Sequence, residues 1–224
     1  MAFNAKPAGV LFDLDGTLLD TAPDMGQALN RLLIEHNKPP LPAAMIRPMV
    51  SHGSLGLLKL GFDIDPAEME FAALRDRFLA LYSADLAVKT ALFEGMEQVL
   101  SVLEQQATPW GIVTNKPGWL TEPLLQQLGL AQRAACVVSG DTLPQRKPDP
   151  APLLHACEHI GVDPANCLYI GDAERDIEAA RRAGMASLVA CYGYLHATEQ
   201  PESWGAQGVL QHPLDLLSWL NLSE

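Results

Sequence analysis

The chain has 224 residues, 48% of them hydrophobic, which is enough to bury a substantial core in one large domain or in a domain with an insert. A formal net charge of −12 opposes binding to nucleic acid or to an anionic membrane, so an anionic substrate must meet a local cation. The four cysteines are scattered without a C-x-x-C pair, which argues against a thiolate metal site. Because we find no signal-peptide h-region and no apolar run of membrane-spanning length, we expect a cytoplasmic protein.

The first predicted element is a buried strand over 8–13, AGVLFD, an apolar run without helical period. It ends in D-x-D-G-T, where Asp13 and Asp15 stand one residue apart and Gly16 permits a close turn. Two carboxylates so close repel each other unless a cation neutralises them, and their oxygen ligands suit Mg²⁺. The motif therefore predicts a magnesium site, although a turn and a helix cap explain each residue taken singly.

A helical stretch without a convincing strand follows over roughly 20–88. Its two amphipathic segments, 22–37 and 66–86, each place four apolar residues on one face: Ala28, Leu29, Leu32 and Leu33 in the first, Phe71, Leu74, Phe78 and Leu81 in the second. Since this insert leaves directly after the first strand motif, we expect it to cover the carboxyl edge of the sheet as a lid.

Further buried strands are predicted over 108–115, 134–140, 166–172 and 185–192. The helical patterns between them end at Gly129, Gly161 and Gly184. Strands that alternate with helices in this way indicate βαβ units and a parallel sheet. The predicted fold class is α/β, a Rossmann-like parallel sheet core (1–19 and 89–224) with an inserted α-helical cap domain (20–88).

Five polar residues stand at or just beyond the later strands: Thr114, Asn115, Lys147, Asp172 and Asp176. Singly, each has an ordinary explanation as a turn, a helix cap or a solvated side chain. Because the carboxyl ends of parallel strands share one edge, we expect them to join the two N-terminal aspartates. Magnesium, a lysine and a hydroxyl equip a site for phosphoryl transfer, with one aspartate as nucleophile and the other as general acid and base.

The segments VLFDLDGTLLD, GIVTN, RKPDP and LYIGDAERDIEAARRAG, in this order, resemble the four motifs of the haloacid dehalogenase (HAD) superfamily. The resemblance covers nearly the whole chain and is to the phosphatases with a helical cap, in the phosphoglycolate phosphatase branch. It implies an HAD-like fold and a phosphoric monoester hydrolase that works through an aspartyl phosphate. It further implies that Asp13 is the nucleophile and Asp15 the general acid and base.

The same resemblance implies the remaining roles at the sheet edge. Thr114 and Lys147, helped by the amide of Asn115, would hold the phosphoryl oxygens. Magnesium would be bound by the carboxylates of Asp13 and Asp172 and by the backbone carbonyl of Asp15. Asp176 would support these ligands without binding the ion itself.

The substrate is expected to be selected by the cap segment IRPMVSHGSLGLL. In the phosphoglycolate phosphatase branch an arginine is followed by V-G-x-G, whereas here Ser51 and His52 stand at the first glycine and its neighbour. These two residues would hydrogen-bond a hydroxyl-rich leaving group, although His52 also fits a helix cap or a solvent-facing position. Arg47 would bind a phosphate or a carboxylate in bidentate fashion. The pattern favours an amino-sugar phosphate with a carboxylate, such as a phosphorylated muramic acid, over the alternative, phosphoglycolate.

Three other reactions or roles are weighed against a phosphatase. A dehalogenase needs neither magnesium nor Asp15, and a phospho-aspartate receiver is a single α/β domain of about 120 residues without a helical insert. A phosphomutase shares all four motifs and the cap, and is the less favoured alternative. We expect Mg²⁺ as the cofactor, a small phosphate ester as the substrate, and a monomer or small homo-oligomer.

Overall fold

The computed structural model describes residues 6–220 of the chain. In chain order its strands are β1 (Gly9–Phe12), β2 (Leu19–Asp20), β3 (Ala91–Leu92), β4 (Trp110–Val113), β5 (Cys136–Val138), β6 (Cys167–Gly171), β7 (Ala186–Ala190) and β8 (Gly208–Leu210). Its helices are α1 (Ala22–Glu35), α2 (Ala43–Ile46), α3 (Gly53–Phe62), α4 (Phe71–Ala84), α5 (Met96–Gln105), α6 (Gly118–Gln127), α7 (Ala151–Ile160), α8 (Glu174–Arg182) and α9 (Asp215–Trp219). None of these helices, within residues 6–220, has the length and apolar character that a membrane span requires.

Six strands form one parallel sheet in the order β5-β4-β1-β6-β7-β8. The central strand β1 pairs with β4 and β6, so that Leu11 lies between Gly111 and Tyr169. Burial on both faces explains why these strands read as unbroken apolar runs. The predicted α/β class and parallel sheet are confirmed. The edge strand β8 was not predicted, because its three residues are too few and too exposed for an apolar run.

Helices α1 to α4, which we call the helical region, lie between β2 and β3. Helices α1 and α4 pack against each other through the predicted apolar faces, with Leu32 and Phe78 fully buried. The short helix α2 and the 3-10 helix over Arg47–His52 were not predicted, since their patterns are too short to show a period. Helix α3 was not predicted because three of its ten residues are glycines and its leucines are not confined to one face.

The chain passes between the sheet and the helical region at two adjacent segments, β2 and β3, which pair antiparallel. The buried carboxylate of Asp24 fixes this crossing, because it accepts hydrogen bonds from the backbone of Lys89 at 2.9 Å and of Thr90 at 2.8 Å. These crossings lie close to the predicted boundaries at 19 and 89. The division into two domains itself stays a prediction, and residues 1–5 and 221–224 of the predicted core lie outside the described residues.

We predict that Leu32→Ala lowers the free energy of unfolding by about 2–5 kcal/mol, because it removes buried methyl groups and leaves a cavity between α1 and α4. The matched control is Ile34→Ala on the same helix, where the side chain is 59% exposed and the expected loss is below about 1 kcal/mol. Urea unfolding measures both. Equal losses for the two variants would contradict the packing of α1 described above.

Candidate active site

The site lies where β1, β4 and β6 end. Asp13 follows β1, Thr114 follows β4 and Asp172 follows β6, and these strands are neighbours in the sheet. The turn after Asp13 requires Gly16, whose φ is +87° and where a Cβ would lie 2.1 Å from Asp172 Oδ2. The close approach of this turn to Asp172 is therefore possible only with glycine, which explains the D-x-D-G pattern physically.

Lys147 is the buried cation of this edge, with a side chain that is 0% exposed. Its Nζ forms ion pairs with Asp13 Oδ1 at 2.9 Å and with Asp176 Oδ1 at 2.7 Å. It also donates to the carbonyl of Val113 at 2.8 Å and to Tyr169 Oη at 2.7 Å. Lys147 is thereby held on every side, and it fixes the position of the Asp13 carboxylate.

Asn115 and Thr114 each form hydrogen bonds with the backbone of a nearby lysine. The Asn115 side chain donates to the Lys147 carbonyl at 3.0 Å and accepts from the Lys147 amide at 3.1 Å, so that it fixes the lysine backbone. Thr114 Oγ1 accepts from the amide of Lys116 at 3.1 Å. The hydroxyl proton of Thr114 is therefore free to be donated to a ligand in the cavity above.

Asp13, Asp172 and Asp176 form an acidic cluster, because one carboxylate oxygen of each lies within 4.8 Å of the others. Oδ1 of Asp176 forms the ion pair with Lys147, and its Oδ2 accepts a hydrogen bond from the amide of Ala173 at 3.1 Å. Burial is the main cause that raises the pKa of Asp176, and the charge of Lys147 acts against it. Both oxygens of Asp176 are thus engaged with protein groups.

Asp172 differs from Asp176 because one of its oxygens has no partner. Oδ2 accepts from Ser51 Oγ at 2.6 Å and from the amide of Tyr194 at 3.0 Å, while buried Oδ1 has no hydrogen bond within residues 6–220. Burial, together with the carboxylates of Asp13 and Asp176, raises the pKa of Asp172 to about 7. A buried, unpartnered carboxylate oxygen beside two further carboxylates fits a hard divalent cation such as Mg²⁺.

Asp15 points away from this cluster. Its Oδ1 accepts from Thr21 Oγ1 at 2.7 Å and forms an ion pair with Lys116 Nζ at 2.9 Å. Lys116 also donates to Tyr82 Oη, at 2.9 Å, on helix α4 of the helical region. The opposing carboxylate and the tyrosine raise the pKa of Lys116 despite burial, so this lysine is cationic.

A cavity of about 870 Å³ opens above the two N-terminal aspartates, between the sheet edge and the helical region. The sheet side contributes polar lining residues: Asp13, Asp15, Thr114, Asn115, Lys116, Asp141, Arg146 and Arg175. The helical region contributes a largely apolar wall: Met25, Val50, Leu55, Phe71, Phe78, Leu79 and Tyr82, with Arg75 among them. The cavity therefore offers carboxylates and cations on one side and an apolar surface on the other.

Two of the three predicted cap residues, Ser51 and His52, line this cavity. Ser51 binds Asp172 through its hydroxyl, and its carbonyl accepts from Arg175 Nη2 at 2.7 Å. His52 is partly buried, and burial together with the charge of Arg175 lowers its pKa. This shift favours the neutral ring, which has one donor and one acceptor nitrogen.

The third cap residue, Arg47, is not brought to this cavity. Its Nη1 lies 2.9 Å from both carboxylate oxygens of Asp20, and its guanidinium lies 4.9 Å from the Tyr194 ring and 5.8 Å from the Phe93 ring. It lines a separate, smaller cavity of about 380 Å³. In this conformation Asp20 and the aromatic rings engage the guanidinium, and its contact with a substrate stays a prediction.

Several cavity residues were missed by the sequence reasoning. Lys116 directly follows Thr114 and Asn115, and Arg175 lies between Asp172 and Asp176, so both could have been found by extending the motifs. Tyr82 belongs to the α4 segment whose apolar face was assigned to packing. Arg146 directly precedes Lys147 in the RKPDP motif and could have been found in the same way. Arg75 lies outside every motif, and no pattern in the sequence distinguishes it from a solvated arginine.

We predict that Lys147→Met lowers the free energy of unfolding by about 3–5 kcal/mol, because it leaves the buried carboxylates of Asp13 and Asp176 without their cation. Adding Asp176→Asn should recover part of this loss, since one of the repelling charges is then removed. Denaturant unfolding of both single variants and the double variant, without metal, measures the effect. Simple additivity of the two losses would contradict the charge pairing.

Comparison with known proteins places these features in one family. The model of haloacid dehalogenase-like hydrolases matches residues 10–190. The chain is 45% identical over 207 residues to an N-acetylmuramic acid 6-phosphate phosphatase of Pseudomonas putida, covering 92% of this chain and 93% of the relative. It is 48% identical over 211 residues to a phosphoglycolate phosphatase of Xanthomonas campestris pv. campestris, covering 94% and 95%.

Among solved structures, a predicted phosphoglycolate phosphatase from Haemophilus somnus matches with a TM-score of 0.84 at 27% identity, covering 96% of this chain and 98% of that one. The family model, the close relatives and the shared fold agree with the site geometry. The chain therefore belongs to the haloacid dehalogenase-like hydrolases and, within them, to the phosphatases.

Proposed function

We propose that the chain is a Mg²⁺-dependent phosphomonoesterase that forms an aspartyl phosphate on Asp13. One observation carries the proposal: Asp13 lies below a cavity of about 870 Å³, with Lys147 on Oδ1 and with the other two carboxylates of the acidic cluster within 4.8 Å. In this proposal, residues 1–19 and 89–224 are the core and residues 20–88 are the cap that covers it.

The residues present fit magnesium, since Asp172 Oδ1 is buried without a partner in the described part of the chain. The carboxylates of Asp13 and Asp172 and the backbone carbonyl of Asp15 would hold the ion, and Asp176 would support them. When bound, the ion supplies positive charge that stabilises the negative charge developing on the phosphoryl oxygens.

In the first half of the reaction, a carboxylate oxygen of Asp13 attacks the phosphorus atom. Asp13 Oδ1 already accepts from Lys147 and from the amide of Leu14 at 2.7 Å, so Oδ2 is the oxygen without a protein partner among the described residues. The reaction starts with Asp15 protonated on Oδ2, which Lys116 and Thr21 leave free, and this proton passes to the leaving oxygen as the ester P–O bond breaks. The hydroxyl of Thr114 binds the phosphoryl oxygens, and the ammonium of Lys147 binds them by exchanging one of its protein contacts for a phosphoryl oxygen.

In the second half, water replaces the protein oxygen on phosphorus. Asp15, now ionised, takes a proton from this water as its oxygen attacks the phosphorus, and the P–O bond to Asp13 breaks. Inorganic phosphate leaves, and both aspartates return to their initial protonation states. The helical region contributes by covering the site, which keeps bulk water away from the reactive acyl phosphate.

We propose N-acetylmuramic acid 6-phosphate as the substrate. A cavity of this size, with apolar side chains opposite cations, suits a substituted sugar that carries a carboxylate, and it far exceeds the needs of a two-carbon acid. In this proposal Arg75 and Arg146, which line the cavity, bind the substrate carboxylate. The sequence had suggested Arg47 for this role. A P. putida relative bears the name of this activity, whereas the X. campestris relative keeps phosphoglycolate as the alternative.

We predict that the chain releases inorganic phosphate from N-acetylmuramic acid 6-phosphate with a kcat/KM at least about tenfold above that for phosphoglycolate and for common hexose phosphates. The Asp13→Asn variant is the matched control, because it keeps the size of the side chain and removes the nucleophile, and it should lose at least about a thousandfold in kcat.

Three outcomes of this assay would contradict parts of the proposal. Undiminished turnover by Asp13→Asn would refute the covalent mechanism. A preference for phosphoglycolate would refute the substrate. Isomerised sugar phosphate without free phosphate would establish a phosphomutase instead.

We predict that Mg²⁺ raises the melting temperature more at pH 8 than at pH 5.5. Without the ion, the pKa of Asp172 in the folded protein is about 7, well above its ordinary value. The free energy of unfolding therefore falls as pH rises toward 7, because the folded protein holds this proton more tightly than the unfolded chain does. Bound Mg²⁺ offsets that loss, but at pH 5.5 it must displace a proton, which weakens its apparent affinity by about 30-fold.

Thermal unfolding with and without Mg²⁺ at the two pH values measures this effect and requires no turnover. Asp172→Asn is the control and should show little Mg²⁺-dependent shift at either pH. An equal shift at both pH values, or an undiminished shift in Asp172→Asn, would exclude Asp172 as the ligand that carries it.

A further inference from the structure

We propose that Lys116 is a positioning residue for Asp15 and that Tyr82 of the helical region holds Lys116 in place. This inference rests on the proposed function, in which Asp15 is the general acid and base. It adds a residue that binds neither magnesium nor, in this role, the substrate. It also gives helix α4 a part in the chemistry beyond enclosing the cavity.

The contacts of Lys116 are few and short. Its side chain is 5% exposed, and Nζ lies 2.9 Å from Asp15 Oδ1 and 2.9 Å from Tyr82 Oη. Nζ also lies 4.6 Å from the centroid of the Tyr82 ring, within the range of a cation–π interaction. A buried ammonium is costly without an opposing charge, so Asp15 and Lys116 depend on each other for their positions.

The backbone of Lys116 is fixed on the sheet side of the cavity. Its amide donates to Thr114 Oγ1 at 3.1 Å, and its carbonyl accepts from the amide of Gly140 at 2.8 Å. The lysine therefore projects from a rigid turn directly after the phosphate-binding Thr114. Tyr82, by contrast, belongs to α4, so the chain Asp15–Lys116–Tyr82 connects the acid and base to the helical region.

The contacts of Asp15 show that its two carboxylate oxygens have different surroundings. Both protein donors, Thr21 Oγ1 at 2.7 Å and Lys116 Nζ at 2.9 Å, bind Oδ1. Oδ2 has no protein partner within residues 6–220, so it is the oxygen that can carry the proton to the leaving group. Loss of Lys116 leaves Thr21 as the only donor to the carboxylate, and proton transfer needs hydrogen-bond reach in the transition state.

The test compares two substrates that need the acid to different degrees. An alkyl phosphate, the one that the wild-type chain turns over fastest, has a poor leaving group that must be protonated. p-Nitrophenyl phosphate has a stable phenolate leaving group that does not need the proton. For Lys116→Met, we expect kcat/KM to fall about 100-fold with the alkyl phosphate and about tenfold or less with the aryl phosphate.

The Tyr82→Phe variant keeps the ring that stacks on Phe78 and removes only the hydroxyl, so it remains informative if Lys116→Met folds poorly. We expect the alkyl-to-aryl ratio of kcat/KM to fall about threefold in this variant. In the Lys116→Met background the same change should leave the ratio unaltered, because Tyr82 acts through the lysine. Lys59→Met removes an exposed lysine of the helical region and should leave the ratio at the wild-type value.

Each result decides one claim. Equal losses on both substrates in Lys116→Met would overturn the inference, since a purely structural or phosphate-binding role does not discriminate between leaving groups. An additional effect of Tyr82→Phe on the ratio in the double variant would overturn the role of Tyr82. Absence of phosphate release by the wild type from any ester would instead refute the proposed function, so the two failures are distinguishable.

Discussion

The ammonium of Lys147 between the carboxylates of Asp13 and Asp176 is the interaction on which the site depends. Three carboxylates are buried at one sheet edge, and their mutual repulsion would favour protonation or unfolding without a compensating charge. Lys147 neutralises part of this charge and fixes one oxygen of Asp13. What remains is negative charge around Asp172 and a buried oxygen without a partner, the condition that favours a divalent cation.

The helical region reaches this edge at two separate points. Ser51 donates to Asp172 in the acidic cluster, and Tyr82 accepts from Lys116 beside Asp15. The two aspartates thus contact the helical region through different residues, one beside the carboxylates that we propose hold the metal and one at the proposed acid and base. Closure of the cavity and alignment of the reactive groups are therefore parts of the same packing arrangement.

Much of the fold could be predicted because burial leaves a clear trace in the sequence. The central strands are apolar on both faces, and α1 and α4 keep a helical period, whereas β8 and the short helix α2 carry too few residues for any pattern. The glycines of α3 hide its helical period. The motif residues Asp13 and Asp172 could be placed together because the neighbouring parallel strands β1 and β6 end at one edge. Lys147 lies in the loop between β5 and α7, and its place beside Asp13 was expected from its motif.

The features of the site that could not be predicted depend on contacts between distant segments, which no local pattern in the sequence records. Arg47 was expected at the substrate, but Asp20 and two aromatic rings engage it elsewhere. Tyr82 was not singled out in the sequence, because its hydroxyl meets Lys116 only when the helical region packs over the sheet.

The most direct test of the account is to locate the phosphoryl group on the protein during turnover. The reaction is quenched in the steady state, the acyl phosphate is reduced with borohydride, and the digested chain is examined by mass spectrometry. The account predicts that the reduced residue, homoserine, is found at position 13 and at no other aspartate. Reduction at another aspartate, or rapid phosphate release with no reducible acyl phosphate, would contradict it.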